Sequence, residues 1–317
     1  HLLYIQTKLQ YFYSLNAQRV MMKNYTSYDL IEWGKPFEKS QHALPEPTLS
    51  EVLIRVTAAG LCHSDLHVQK GYMDLGEEGR LTFAERGAQL PMTFGHEIAG
   101  IVEAIGVKVK NVSIGQQVIV FPWIGCGDCL ACNEDRESDC SAMRIIGLKQ
   151  KGGFATHCLI ENEKFLVNID GLDAAEVVPH ACSGITVYNA LEKIGFLRDG
   201  EWLAVMGCGG LGLNAIAIAG AMGFENIIGI DIDNSKLDAA REMGASKTLN
   251  SKSANAVAEL QKYAESRLMA VIDTFGGEST GQLAVRALAK SGQYLLVGQA
   301  GGDFKMPQVW LPQKAMT

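Results

Sequence analysis

The stretch from Trp202 to Asp231 constrains the fold most. It runs as an apolar strand pattern (202–206), then Gly207-Cys208-Gly209-Gly210-Leu211-Gly212, then an Ala/Ile/Leu-rich helix pattern over 213–222, then a second apolar strand ending in Asp231. The order is the dinucleotide fingerprint in the context that gives it meaning. The first glycine makes the turn, the second lets backbone approach a pyrophosphate, and the third lets helix and strand pack. N–H groups at the helix start face the phosphate charge. Asp231 lies 19 residues after Gly212, close to the spacing of about 20 expected for the acid that takes the ribose hydroxyls. A carboxylate there repels a 2′-phosphate, which favours NAD over NADP, and Lys236 is placed to reach the same ribose. Cys208 reads as a packing thiol.

The alternation continues downstream, with helix patterns around 235–243 and 279–289 and strand patterns at 270–273 and 294–298. That predicts an α/β doubly wound parallel sheet. The first half reads differently. Strand patterns at 25–34, 50–60 and 153–169 are broken by turns rather than helices, apart from a helix running from about 179 to 194. Residues 71–91, with four glycines, read either as a disordered loop or as a lid. At 317 residues the chain has room for about two domains. Its formal charge of −7 gives no basic excess for a nucleic-acid backbone, and no apolar run matches a bilayer span. Residues 1–20 lack the basic start and clean apolar run of a signal peptide, and read as an N-terminal extension.

Four of the eight cysteines crowd into one loop, Cys126, Cys129, Cys132 and Cys140. Clustering of this kind in a long chain without an export signal points to metal binding in a reducing compartment, the cytoplasm. Four thiolates close a tetrahedral zinc site and leave no open position, so the metal there is structural. An iron–sulfur cluster also takes four cysteines, and disulfides between neighbours are the weakest reading. Cys158 sits among apolar neighbours and reads as a buried, inert thiol.

Two further segments carry chemistry. Cys62-His63-Ser64-Asp65-Leu66-His67 follows directly on a strand pattern and brings a thiol, two imidazoles, a hydroxyl and a carboxylate together. Taken alone it is also an ordinary polar surface turn. Gly95-His96-Glu97 opens another strand pattern, and its glycines suggest close backbone packing. Histidine is a common zinc ligand, and a nearby carboxylate can assist one. Cys182, just before a helix pattern, is read on its own as a core thiol.

With Cys62, Gly95-His96-Glu97, the four-cysteine loop and the 207–212 turn in one order, the chain from about Met22 to Thr317 resembles the zinc-dependent medium-chain alcohol dehydrogenases. The resemblance implies a GroES-like, mainly-β catalytic domain (21–178) followed by a Rossmann NAD-binding domain (179–317). It implies two zinc ions per chain. Cys62, His96 and Cys182 match the ligands of the catalytic zinc, with Glu97 as the carboxylate that approaches it and Asp65 as the acid that orients the ligand histidine. Ser64 matches the hydroxyl that contacts the substrate alcohol, and His67 the outer imidazole of the proton relay. His63 matches the contact to the pyrophosphate; Thr186, Leu211 and Val297 match residues that hold the nicotinamide. The implied reaction is reversible hydride transfer between an alcohol and NAD, in a cytoplasmic homo-oligomer, dimer or tetramer. Polyol, amino-alcohol and formaldehyde-adduct dehydrogenases share this ligand set. A zinc-free quinone or enoyl reductase shares the fold without it, and a non-enzymatic zinc module is opposed by the fingerprint. Family members continue beyond the position of Thr317 with a last Rossmann strand and a return to the catalytic domain, so the resemblance also implies a C-terminally truncated chain.

Overall fold

The computed structural model describes residues 24–315, so the expected extension over 1–20 lies outside the described residues. The chain divides into two compact units. One comprises the chain up to Gly71 together with Ala84–Ala181, and the other comprises Tyr72–Phe83 together with the chain from Cys182.

The first unit is built on antiparallel strands. Strands β1 (Asn24–Leu30), β2 (Glu38–Ala43), β3 (Val52–Gly60), β6 (Met92–Thr93), β7 (Glu97–Ile105), β8 (Gln117–Val120), β9 (Trp123–Ile124), β10 (Arg144–Ile145), β11 (His157–Ile160) and β12 (Leu166–Asn168) follow in chain order, with β4 (Tyr72–Asp74) and β5 (Arg80–Thr82) belonging to the second unit. A five-stranded sheet runs β11-β3-β7-β8-β12 and a three-stranded one β2-β1-β6. Alternation sorts the side chains. Val52 and Ile54 of β3, Ile98 and Val102 of β7, and Val118 and Val120 of β8 face one core with Ile124, Ile146, Cys158 and Ile160. Ala99 and Ile119 face the opposite side, where Val178 and Ala181 cover them. Cys158 is 4% exposed and burial pushes its thiol up to about 12, which agrees with its reading as inert.

The second unit carries the expected crossover sheet. β13 (Trp202–Met206), β14 (Ile227–Asp231), β15 (Lys247–Asn250), β16 (Leu268–Asp273) and β17 (Gln293–Leu296) lie in the order β15-β14-β13-β16-β17, all parallel. β13 is buried at every position, as its unbroken apolar run requires. Leu203 and Val205 join a core with the helices Ser183–Ile194, Gly210–Ala221 and Asn234–Glu242. Trp202, Ala204 and Met206 join the opposite core with Ala256–Tyr263 and Glu278–Ala287. Helices therefore cover both faces. The strand order reverses between β13 and β16, which places the ligand crevice of such a sheet outside their carboxyl ends.

Residues 71–91 depart from the reading as a loop. Tyr72–Asp74 pairs with Arg80–Thr82 as an antiparallel hairpin, and this hairpin groups with the second unit. Asp303 accepts a hydrogen bond there from the Glu77 N–H, and Lys305 pairs with Glu77. The contacts that order the stretch come from far along the chain, which local pattern does not reveal. No helix among the described residues is long and apolar enough to cross a membrane.

Candidate metal centres and dinucleotide turn

The segment read as a polar turn is the helix His63–Lys70. Only Asp65 and Val68 of it are buried, so it has no apolar stripe that would mark it as a helix. It starts where β3 ends, which delivers Cys62 at its N-terminal cap. Asp65 turns back: its Oδ2 accepts from the Cys62 backbone N–H at 2.9 Å, and its Oδ1 bonds His96 Nδ1 at 3.2 Å. One buried carboxylate thus fixes both the cap and the imidazole. With Nδ1 taken, Nε2 is left as the ligating nitrogen of His96, the arrangement found where a carboxylate orients a metal-bound histidine.

Cys182 follows Ala181, which is 3% exposed in the first unit's core. Cys182 itself is the N-terminal cap of the helix Ser183–Ile194. Cys62, His96, Glu97 and Cys182 each offer one ligand atom, and these atoms all lie within 4.8 Å of one another. Two thiols, an imidazole and a carboxylate suit zinc. The site strains ionisation in a metal-free protein. Burial lowers the His96 pKa, but hydrogen bonds to Asp65 and Cys62 outweigh it and push the imidazole up to about 10. Burial, then the Cys62 thiolate, push the Glu97 carboxyl up to about 7. A metal entering here displaces the His96 proton.

Glu97 has a steric condition that sequence reading missed. Gly60 pairs with it across β3 and β7, and a Cβ on Gly60 would stand 1.8 Å from Glu97 Oε2. The bare backbone leaves room for the carboxylate beside the thiols. Gly60→Ala is expected to swing the Glu97 carboxylate away and to press on the β3–β7 pairing, because the added Cβ would also stand 2.9 Å from the Glu97 Cβ. Metal analysis after dialysis is the check. Loss of zinc from this centre alone, with Tm lowered by about 5 °C from the strand overpacking, is the expected result.

The loop cysteines form the second cluster. Cys126, Cys129, Cys132 and Cys140 offer sulfurs within 4.8 Å of one another, with Cys129–Cys132 at 3.5 Å and Cys126–Cys132 at 3.9 Å. A tetrahedron with Zn–S bonds of about 2.3 Å has S···S edges of about 3.8 Å. The distances exceed a disulfide bond of about 2.05 Å, and the compact set fits one ion better than a multi-iron cluster. Arg144 braces the loop: it holds Glu161 through two bonds of 2.8 Å and donates to the Gly125 carbonyl at 3.1 Å. N–H groups of Asp128, then Cys129, hold the Cys126 thiol down to about 6.

In the second unit, Gly207 takes φ +85°, and a Cβ on Gly212 would stand 1.7 Å from the Gly207 carbonyl oxygen. Both glycines are required by the turn. Gly209 is different: its φ of −82° suits any residue, and a Cβ there or on Gly210 would meet nothing of the protein within 4 Å. The missing side chains leave bare backbone at the start of the helix Gly210–Ala221, the surface a pyrophosphate needs. Asp231 ends β14, where its Oδ2 accepts from the Cys208 N–H at 2.8 Å and its Oδ1 from Ile232 and Asp233 at 2.7 and 3.0 Å. Lys236 is exposed on the next helix. Leu211 lies on the turn's helix, Thr186 on Ser183–Ile194, and Val297 just after β17, where its N–H donates to the Asp273 carbonyl at 3.0 Å. Cys208 is 1% exposed and packs in the core.

Residues 48–171 match the family described as alcohol dehydrogenase GroES-like domain, and 210–317 match zinc-binding dehydrogenase. An NAD-dependent alcohol dehydrogenase of Sulfurisphaera tokodaii is 39% identical over 279 residues, 87% of this chain and 79% of the relative. One from Saccharolobus solfataricus is 38% identical over 276 residues, 86% and 78% of the two chains. Among solved structures, the alcohol dehydrogenase of Aeropyrum pernix superposes with a TM-score of 0.82 at 26% identity, covering 92% of this chain and 83% of that one.

Proposed function

The chain belongs to the zinc-binding medium-chain alcohol dehydrogenases, and from that premise we propose that Cys62, His96 and Cys182 hold its catalytic zinc. The family activity is the reversible conversion of an alcohol to an aldehyde or ketone with NAD. The observation that carries the assignment is the convergence of Cys62, His96, Glu97 and Cys182 within 4.8 Å. When bound, the zinc supplies a Lewis acid that lowers the pKa of an alcohol, and NAD supplies the hydride acceptor. The three ligands leave a position open for substrate, with Glu97 as the carboxylate able to approach. Asp65 keeps His96 oriented. Cys126, Cys129, Cys132 and Cys140 hold the second, structural zinc. Gly207, Gly209, Gly210 and Gly212 present backbone to the pyrophosphate, together with His63. Asp231 and Lys236 take the adenosine ribose, and Thr186, Leu211 and Val297 flank the nicotinamide.

The helix His63–Lys70 also carries the proton path. Ser64 and His67 are three residues apart and therefore share a helix face. Ser64 is exposed, and its Oγ lies 3.6 Å from the Cys62 sulfur. Ser64 would take the alcohol's proton and His67 would release it to solvent, with the ribose of bound NAD linking the two. Burial, then the positive charges of His63 and Lys70, depress the His67 pKa. A depressed pKa keeps the ring a neutral acceptor in more acidic solution than an ordinary histidine near 6.5. His67→Gln is expected to lower kcat for oxidation about 10- to 100-fold and to remove the acid limb that the wild type shows below about pH 6.5. Added imidazole should restore part of the rate. A variant whose pH profile overlays that of the wild type would remove His67 from the path.

Two zinc ions per chain and NAD-dependent oxidation across a panel of primary, secondary and aromatic alcohols test the whole reading. Polyol, amino-alcohol or formaldehyde-adduct oxidation would refine the substrate within the same chemistry. A zinc-free protein reducing quinones would overturn it. The same reading implies a homo-oligomer in the cytoplasm, with sedimentation velocity as the check on assembly.

A further inference from the structure

We propose that Thr274 is a positioning residue for the dinucleotide: its hydroxyl holds the 207–212 turn in the shape that presents the turn's N–H groups to a pyrophosphate. The inference rests on the NAD reading above. Thr274 follows the last residue of β16, on the side of β13 opposite β14. Its amide donates to the Met206 carbonyl at 2.9 Å. Its Oγ1 lies 2.8 Å from the Met206 carbonyl oxygen and 2.9 Å from that of Gly207, so one proton is shared between them. From the other flank, the Gly207 N–H donates to the Ile230 carbonyl at 2.8 Å and Asp231 holds the Cys208 N–H.

The strand end is thus gripped by both neighbouring strands, and Thr274 contributes a hydroxyl on its flank. That hydroxyl also lines the inside of the turn. It lies 2.7 Å from where a Cβ on Gly207 would stand and 3.4 Å from one on Gly212. Gly207 has no side chain of its own to hold φ +85°. The two carbonyls that Thr274 engages belong to Met206 and Gly207, which lead into the bare backbone at Gly209 and Gly210. Tilting either peptide shifts the backbone that follows.

Asp273 secures Thr274 in turn. It is fully buried, its Oδ1 accepts from the Phe275 and Gly276 N–H groups at 3.0 and 2.9 Å, and its Oδ2 accepts from the Tyr294 hydroxyl at 2.9 Å. The Asp273 carbonyl accepts from the Val297 and Gly298 N–H groups at 3.0 and 2.9 Å. Two consecutive residues therefore anchor both the pyrophosphate turn and the segment that carries Val297. An acid ending an apolar parallel strand, as Asp231 also does, was the one signal in the sequence.

Thr274→Val removes the hydroxyl and keeps the volume. NADH, ADP-ribose and AMP are titrated against the zinc-loaded wild type and variants, and KM for NAD is separated from kcat. The expected result is weakening of NADH and ADP-ribose by roughly five- to tenfold, the size of one hydrogen bond. AMP, which lacks the pyrophosphate, should change by less than about twofold. KM for NAD should rise with kcat at saturation nearly unchanged, and Thr274→Ser should restore affinity. Thr274→Ala provides a second hydroxyl deletion if the valine variant folds poorly. NADH binding within about twofold of wild type in the folded hydroxyl-free variant, an equal loss of AMP, or failure of the serine rescue would each overturn the proposal. A wild type that binds no NADH would instead sink the dinucleotide reading itself.

Discussion

Replacing Cys62 with serine is expected to lower alcohol oxidation at least about a thousandfold while removing only one of the two zinc ions. A serine hydroxyl stays protonated at neutral pH and is a poor zinc ligand, so the centre keeps only His96, Glu97 and Cys182. A Lewis acid at the reacting oxygen supplies several kcal/mol, and about 4 kcal/mol corresponds to three powers of ten in rate. The substitution is well isolated from the fold. Asp65 bonds the Cys62 backbone N–H rather than its sulfur, so the cap of the helix His63–Lys70 survives. Zinc content falling from about two to about one per chain, with an unchanged Tm, is the expected signature. Turnover within about tenfold of wild type in a protein that has lost this zinc would refute the assignment.

Cys140→Ser should have the opposite profile. The buried Cys140 sulfur accepts from the Cys126 N–H at 3.3 Å, so it both belongs to the four-thiol cluster and orders the loop's backbone. Loss of one thiolate opens a closed site, and a structural zinc contributes folding energy directly. The loop 126–140 has few apolar contacts of its own and is rich in like charge, with Asp128, Glu134, Asp135, Glu137 and Asp139. Without the ion, little opposes that repulsion beyond pairs such as Arg136 with Glu134 and Asp139. A fall in Tm on the order of 10 °C and rapid proteolysis inside the loop are expected, while the catalytic zinc remains. Rebinding zinc to stripped protein at neutral pH should release fewer than four protons from this loop. Cys126, held down to about 6, is already ionised there, whereas Cys132 is pushed up to about 12: the Gly127 N–H lowers its pKa, but burial and the neighbouring thiols outweigh that. Unchanged stability in a variant shown to lack this zinc would mean that the loop orders itself.

The legibility of each feature follows from how far apart its parts lie in the chain. The 202–231 fingerprint was readable because its strand, turn, helix and acid are contiguous, and β13, the turn and β14 lie where the pattern puts them. The loop thiols were readable for the same reason. Cys182 was not, since before an apolar helix a thiol looks like core; only resemblance singled it out, and the fold carries it to Cys62 and His96. The helix at 63–70 was hidden by its polarity, and the hairpin at 72–82 because Asp303 and Lys305 help order it.

By itself the sequence determined the parallel crossover sheet, its glycine turn and one compact four-thiol cluster, because each depends on residues that are neighbours along the chain. Only the tertiary structure decided that Asp65 serves both Cys62 and His96, that Gly60 makes room for Glu97, and that Thr274 grips the Gly207 turn. Those relations join different strands, and register and close packing, which no local pattern encodes, bring their atoms within bonding distance.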